Sequence, residues 1–144
     1  MSPVAVLLPA VLAAGAPGEA VMRSCSLETK VAAQVHEHVA SRYGGAARIQ
    51  NLGEARPEQA VVRVVLVSVT RPRGFMFTTG MALTVRGEIL REGGAVGSHS
   101  LSRQSFVGGE TCEVMDRLAA QLARDLAAAL PAGLADQPEP KEAK

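Results

Sequence analysis

The chain has 144 residues, with 15 Lys+Arg against 14 Asp+Glu, so its formal charge is only +1 and its basic residues are scattered. That balance argues against a nucleic-acid partner, which selects a clustered basic footprint, and the length gives room for one domain with a single modest core. At 47% hydrophobic the chain is too apolar to be disordered, and with no Trp, one Tyr and three Phe its core must be built from Val, Leu and Ala.

Residues 1–20 carry an apolar stretch from Val4 to Ala16 followed by small residues, the layout of a secretory signal peptide cleaved after Ala20. The stretch is too short to span a bilayer, so no transmembrane segment is expected. A lipoprotein reading would acylate Cys25, but Arg23 stands where that signal wants a small or apolar residue. From Ser24 or Ser26, either of which can cap a helix through its side-chain oxygen, Leu27, Val31, Val35, Val39 and Tyr43 recur at helical spacing until Gly44-Gly45 stops them. Ala46 to Glu58 reads as a loop by its Gly53 and Pro57, and its β-like piece at residues 48–52 leaves an extra edge strand open.

Gln59 to Thr70 is the organising strand. Apart from Arg63 both its faces are apolar, Val61, Val65, Val67 and Val69 on one and Ala60, Val62, Val64 and Leu66 on the other, as in a strand covered on both sides. Arg71-Pro72-Arg73-Gly74 reverses the chain. Phe75 to Arg91 then alternates Met81, Leu83, Val85 and Ile89 with Thr84, Arg86 and Glu88, a half-buried strand, before a turn at Glu92-Gly93-Gly94. Ala95 to Val107 is a third strand, and Ser98, Ser100, Ser102 and Ser105 make it polar enough to be an edge. Thr111 is the expected N-cap of a second helix, striped by Met115, Leu118, Leu122, Leu126 and Ala129 and ended by Pro131 and Gly133. The tail from Ala132 to Lys144 has almost nothing to bury and reads as disordered. The order predicts an α+β two-layer sandwich over residues 21–131: helix, three- or four-stranded antiparallel β-meander, helix, with both helices on one face.

Cys25 and Cys112 each stand at a helix start. If every element reverses direction, three strands put both helix starts at one end, where the two Cα atoms can come within the roughly 4.4–6.8 Å that a disulfide needs, whereas a fourth full strand from Ile49 would separate them unless Cys25 lies in an extended segment ahead of the helix. In an exported protein the pair favours a structural bridge, and closing a loop of roughly 90 residues would stabilise the fold by about 4 kcal/mol. The alternative is a thiol redox protein, because a helix N-terminus favours the thiolate.

Other candidates are weaker. His36 and His38 flank Glu37, but residues two apart on a helix point about 200° apart and cannot share a metal ion, so neither metal nor cofactor is expected. His99 lies among Ser98, Ser100 and Ser102, but neighbouring strand residues face opposite ways. Gly108-Gly109 lacks the Lys-Ser or Lys-Thr of a phosphate loop, and Asp116-Arg117 and Arg124-Asp125 read as the polar face of the second helix. Phe75, Met76 and Phe77 beside an exposed turn form the densest cluster of large apolar residues, and are a candidate contact patch. Val61, Val65 and Val67 are a second one: two helices cover only one face of a meander, so a dimer partner, another protein or the 46–58 loop must cover the other.

A leader, Cys25 opening a helix, Thr84-Val85-Arg86-Gly87-Glu88-Ile89-Leu90 in a meander, and Gly-Gly-Glu-Thr-Cys at 108–112 followed by Asp116-Arg117 and Leu126 make a recognisable combination. Over residues 21–131 it resembles a family of small exported bacterial proteins of uncharacterised function. The resemblance implies export, a cysteine bridge and an accessory role, and brings no catalytic residue with it. The sequence thus points to a non-enzymatic periplasmic or secreted binding module, whose partner is another envelope protein or a second copy in a homodimer.

Overall fold

In the computed structural model, residues 3–71, 80–92, 94–105 and 109–135 are described. The elements are β1 (Val4–Leu12), α1 (Glu19–Ser24), α2 (Leu27–Tyr43), β2 (Ala47–Ile49), a 3-10 turn at Leu52–Glu54, β3 (Ala60–Thr70), β4 (Met81–Arg91), β5 (Gly94–Ser105), α3 (Thr111–Ala129) and a last 3-10 turn at Ala132–Ala135. The five strands form one mixed sheet in the order β2-β1-β3-β4-β5. The valine-rich run is its middle strand, as its two apolar faces require.

The antiparallel meander needs correcting. Strands β3, β4 and β5 do form one, but β1 runs parallel to both β2 and β3. The apolar stretch read as the core of a leader is β1 itself, and Val4, Ala5, Val6 and Leu7 are buried. A parallel strand covered on both faces is a continuous apolar run without alternation, and composition alone does not separate it from a signal sequence. Connecting β1 to β2 in parallel requires a crossover, which α2 supplies.

Pro9 fits this strand because β2 pairs only with Ala5 to Leu7, Ala47 matching Ala5 and Ile49 matching Leu7, and among the described residues nothing pairs with that side of β1 beyond them. A residue without N–H is tolerated there, and the register against β3 shifts between Leu7 and Val11.

Both helices lie on one face of the sheet, α2 over β1 and α3 over β4 and β5. The main core between the layers joins Val4, Val6, Val62, Val64, Leu66, Leu83 and Val85 to Val31, Val35, Met115, Leu122 and Leu126. Gly87 on β4 lets α3 come this close: a Cβ there would lie 2.8 Å from Leu126 Cδ1. A bulge between Leu66 and Ser68 turns Val69 to the helix side, so the file of four valines expected on the opposite face does not exist. On that opposite face Ala5, Leu7, Ile49, Val61 and Leu90 make a small second core, against which Ala47 and Ala55 pack. The connection between β2 and β3 therefore folds over this end of the sheet.

Two local expectations also change. The N-cap of α3 is Glu110 and not Thr111, with its carboxylate accepting from the N–H groups of Cys112 and Glu113. Ser26 holds the N-cap position of α2, but in the left-handed region at φ 57° and without a side-chain cap bond. The tail also begins later than expected, since Leu134 is buried in the main core and Arg91 donates to its carbonyl at 3.2 Å. The expected disorder of residues 136–144 and the start of the second strand at residues 75–79 lie outside the described residues.

Deleting residues 1–20 tests the placement of β1. The truncation removes the strand between β2 and β3 together with Val4 and Val6 from the core, so the expected product is insoluble or loses its cooperative unfolding transition in circular dichroism. A truncated chain as stable as the full one would contradict the sheet order.

Candidate functional site

The geometry converges on the two cysteines. Cys25 ends α1 with φ −92° and ψ 4°, and Ser26 in the left-handed region makes the elbow into α2. Cys112 is the second residue of α3. The two are joined as a disulfide with their Cα atoms 5.3 Å apart, inside the range that such a bond requires. They meet although Ala47–Ile49 does form a strand, contrary to the count of reversals made from the sequence. That count allowed no parallel neighbours. Because β1, β2 and β3 all run one way and β5 runs with them, α2 and α3 both run back against the sheet and their N-termini lie side by side.

Cys25 is 3% exposed, whereas Cys112 is half-buried beside a cleft of about 370 Å³ lined by Ala20, Val21, Ser24, Glu110 and Thr111. A thiolate at Cys112 would draw on the N–H groups at the start of α3. The Glu110 carboxylate already occupies them, with Oε2 accepting from Cys112 N and Oε1 from Glu113 N, both at 3.1 Å. Its negative charge also opposes a second anion on the same turn. Further along the helices Lys30 donates to Asp116 at 3.0 Å. At their far ends Arg42 donates to the Ala127 carbonyl, and Tyr43 Oη donates to the Pro131 carbonyl at 2.6 Å. The helix pair is thus tied by the disulfide and Lys30–Asp116 in its N-terminal part and by Arg42 and Tyr43 at the far end.

On the face of the sheet without helices, Arg63, Arg86 and Glu88 form a charged cluster that the sequence reading missed. Arg63 donates from Nε to Glu88 Oε1 at 2.7 Å and Arg86 Nε donates to Oε2 at 3.2 Å. Burial pushes the Glu88 carboxyl up, but the hydrogen bonds and charges of the two guanidinium groups outweigh it and hold the group below its ordinary value. The signal was present, as Arg63 is the one charge in an apolar strand and Glu88 its direct cross-strand partner.

The remaining candidates separate. Val61 is buried in the second core and Val65 is 4% exposed between its cross-strand neighbours Val11 and Arg86, so neither is surface; Val67 is half-buried. Phe75, Met76 and Phe77 lie outside the described residues. His36 is half-buried: its Nε2 lies 3.0 Å from the Ala46 carbonyl oxygen, an acceptor only, so Nε2 carries the proton. His99 lies on the helix side of β5 while Ser98, Ser100 and Ser102 are exposed on the other. Asp116 and Asp125 are held within the chain by Lys30 and Arg103. Among the described residues no group of three His, Cys, Asp or Glu side chains able to hold a metal ion occurs, and no helix is long and apolar enough to cross a membrane.

No protein-family model matches the chain, and no curated protein does. Among solved structures it is similar to a PelC protein from Paraburkholderia phytofirmans, solved as a dodecamer, at 14% identity and a TM-score of 0.52, covering 88% of this chain and 90% of that one. It is also similar to a minor lipoprotein from Acinetobacter baumannii, at 12% identity and a TM-score of 0.53, covering 88% of this chain and 91% of that one. At such identities the likeness is one of fold.

Two measurements probe these groups. The Cys25→Ser/Cys112→Ser variant should lose about 4 kcal/mol of stability, read from denaturant unfolding, because the crosslink no longer limits the unfolded chain. For Glu88→Gln the loss should depend on pH. A depressed carboxylate pKa stabilises the fold above the unfolded value of about 4.5 and stops doing so as pH falls through the folded value. The variant should therefore be less stable than the parent at pH 7, with the gap closing below about pH 4.5; a gap that persists at pH 2 would mean that packing, not charge, is involved.

Proposed function

We propose that this chain is a non-enzymatic binding or accessory module of the bacterial cell envelope, periplasmic or secreted, whose partner is another envelope protein or a second copy of itself. The observation that carries the reading is the Cys25–Cys112 disulfide, a bond that persists in oxidising compartments. Its support is the fold, which a PelC protein and a minor lipoprotein also have, together with a disulfide that crosslinks two helices instead of opening onto a reaction centre.

A second reading has an observation of its own. Cys112 is half-buried beside a cleft, where a substrate dithiol could be oxidised to its disulfide as the Cys25–Cys112 bond takes up two electrons and two protons. Glu110 on the start of α3 weighs against it.

Two measurements on the full chain decide between them. Fractionation of a Gram-negative host with thiols trapped on lysis should recover the protein in the envelope or periplasmic fraction with both cysteines oxidised; recovery in the cytosol as free thiols would sink the first reading. The reduction potential should lie below about −300 mV, and a value in the range of thiol oxidoreductases would favour the second.

A further inference from the structure

The two edges of the sheet are unlike. On one side β2 has three residues and β1 beyond it is interrupted by Pro9. On the other side β5, twelve residues long, is paired only with β4 among the described residues. Its pairing with β4 shifts at Ile89/Leu90, which takes Val96 out of the ladder. Ser98 to Gln104 remains as a regular run opposite Glu88 to Ala82. Natural sheets protect such an edge with Pro, Lys or charges turned inward. This run has neither Pro nor Lys, and its one charge, Arg103, is held by Asp125 at 2.8 Å.

We propose that this edge pairs with the same edge of a second copy, antiparallel and centred on Leu101. Antiparallel pairing about Leu101 sets Leu101 against Leu101 on the helix side, with His99 opposite Arg103 of the second copy. On the other side it sets Ser100 against Ser102, and Ser98 against Gln104. No like charges face each other directly, and an apolar centre with a polar surround is what an interface wants.

The helices fit as well. Strands lie about 4.8 Å apart, so the two-fold axis falls about 2.4 Å beyond β5, and α3, lying over both β4 and β5, has its axis about 5 Å from it. The two copies of α3 would then run antiparallel about 10 Å apart, the upper end of normal helix packing. The side of α3 nearest this edge is marked by Gln121 and Asp125, which meet Arg103, and Ala128 follows one turn on, exposed and small enough for close approach.

These features select the occupant. An extended peptide would satisfy β5 but leave the α3 flank uncovered, and head-to-tail pairing would need a long free strand at the β2 edge, which offers three residues. A strip about 24 Å long and about 20 Å deep, sheet plus helix, buries about 500 Å² per copy or about 1,000 Å² in all, at the lower limit of a specific interface, so the dimer should be reversible. This inference does not rest on the envelope reading, since pairing of β5 is independent of compartment.

Sedimentation equilibrium of the full chain up to a few hundred micromolar should show a monomer–dimer equilibrium. Ser100→Lys/Ser102→Lys, which sets ammonium groups against each other across the axis, should abolish it while the variant keeps a cooperative unfolding transition, at a midpoint lowered by the loss of the Thr84–Ser102 hydrogen bond and by the new ammonium at position 100 facing Arg86. Leu101→Cys should oxidise to a covalent dimer, since directly opposed Cα atoms lie about 4.5–5.5 Å apart; Glu37→Cys, at an exposed site on α2, should not. A parent that stays monomeric, a dimer that survives the double lysine variant, or equal crosslinking at 101 and 37 would each overturn the proposal.

Discussion

The parallel pairing of β1 with both its neighbours, β2 and β3, is the constraint from which the rest of the architecture follows. Because Ala47–Ile49 lies beside Val4–Leu12 and runs the same way, the chain between them cannot return by a hairpin and must cross over the sheet. That crossover is α2, and it delivers Ala47–Ile49 to the outer side of β1 running the same way. The chain then returns through residues 50–59 over the opposite face, where Ala55 packs against Val61 and its neighbours. The two parallel pairings of β1 thus account for the crossover by α2, the direction of β2 and the return of the chain over the helix-free face.

The helix-free face is stabilised by two different means along its width. At the β2 end it is apolar and roofed by the β2–β3 connection. Towards β5 it is polar and open, with Arg63, Arg86 and Glu88 at its centre and Thr84 Oγ1 donating to Ser102 Oγ at 3.0 Å. Val65 lies where these regimes join: it is 4% exposed, with Val11 as its partner on one neighbouring strand and Arg86 on the other. The count of valines on β3 overstated the apolar surface left open because Val61 is covered in the second core and Val69 turns to the helix side.

Periodicity made the amphipathic parts legible. α2 and α3 alternate faces at 3.6 residues, and β4 alternates at two, so Val31, Leu122 and Val85 could be assigned to the core from the sequence. β1 could not, because burial on both faces erases alternation and leaves an apolar run of nine residues that export signals share. The bulge at Leu66–Ser68 was equally hidden, since it depends on a register with β4 and not on residue type. Within the site, the proximity of the cysteines was legible from their places at two helix starts. The capping role of Glu110 was not, because Thr111 is the preferred cap by residue type and the backbone geometry overrides that preference.

The disulfide then has a definite mechanical meaning. The fold consists of a β1-α2-β2 unit and a β3-β4-β5-α3 unit, and Cys25 and Cys112, 87 residues apart, belong one to each. The units meet along the β1–β3 ladder and along the α2–α3 contact. The ladder is cooperative but its register shifts midway, past Leu7. The helix contact is held by Lys30–Asp116 in its course and by Arg42 and Tyr43 at its end, all partly exposed and each worth little alone. The covalent link gives a fixed origin at the N-terminal end to a helix pair that the main core already packs through Val31, Val35, Met115 and Leu122. The crosslink and the contacts of Arg42 and Tyr43 thus hold that pair from opposite ends, so that without the bond the offset of α2 on α3 rests on apolar packing and on the polar contacts alone.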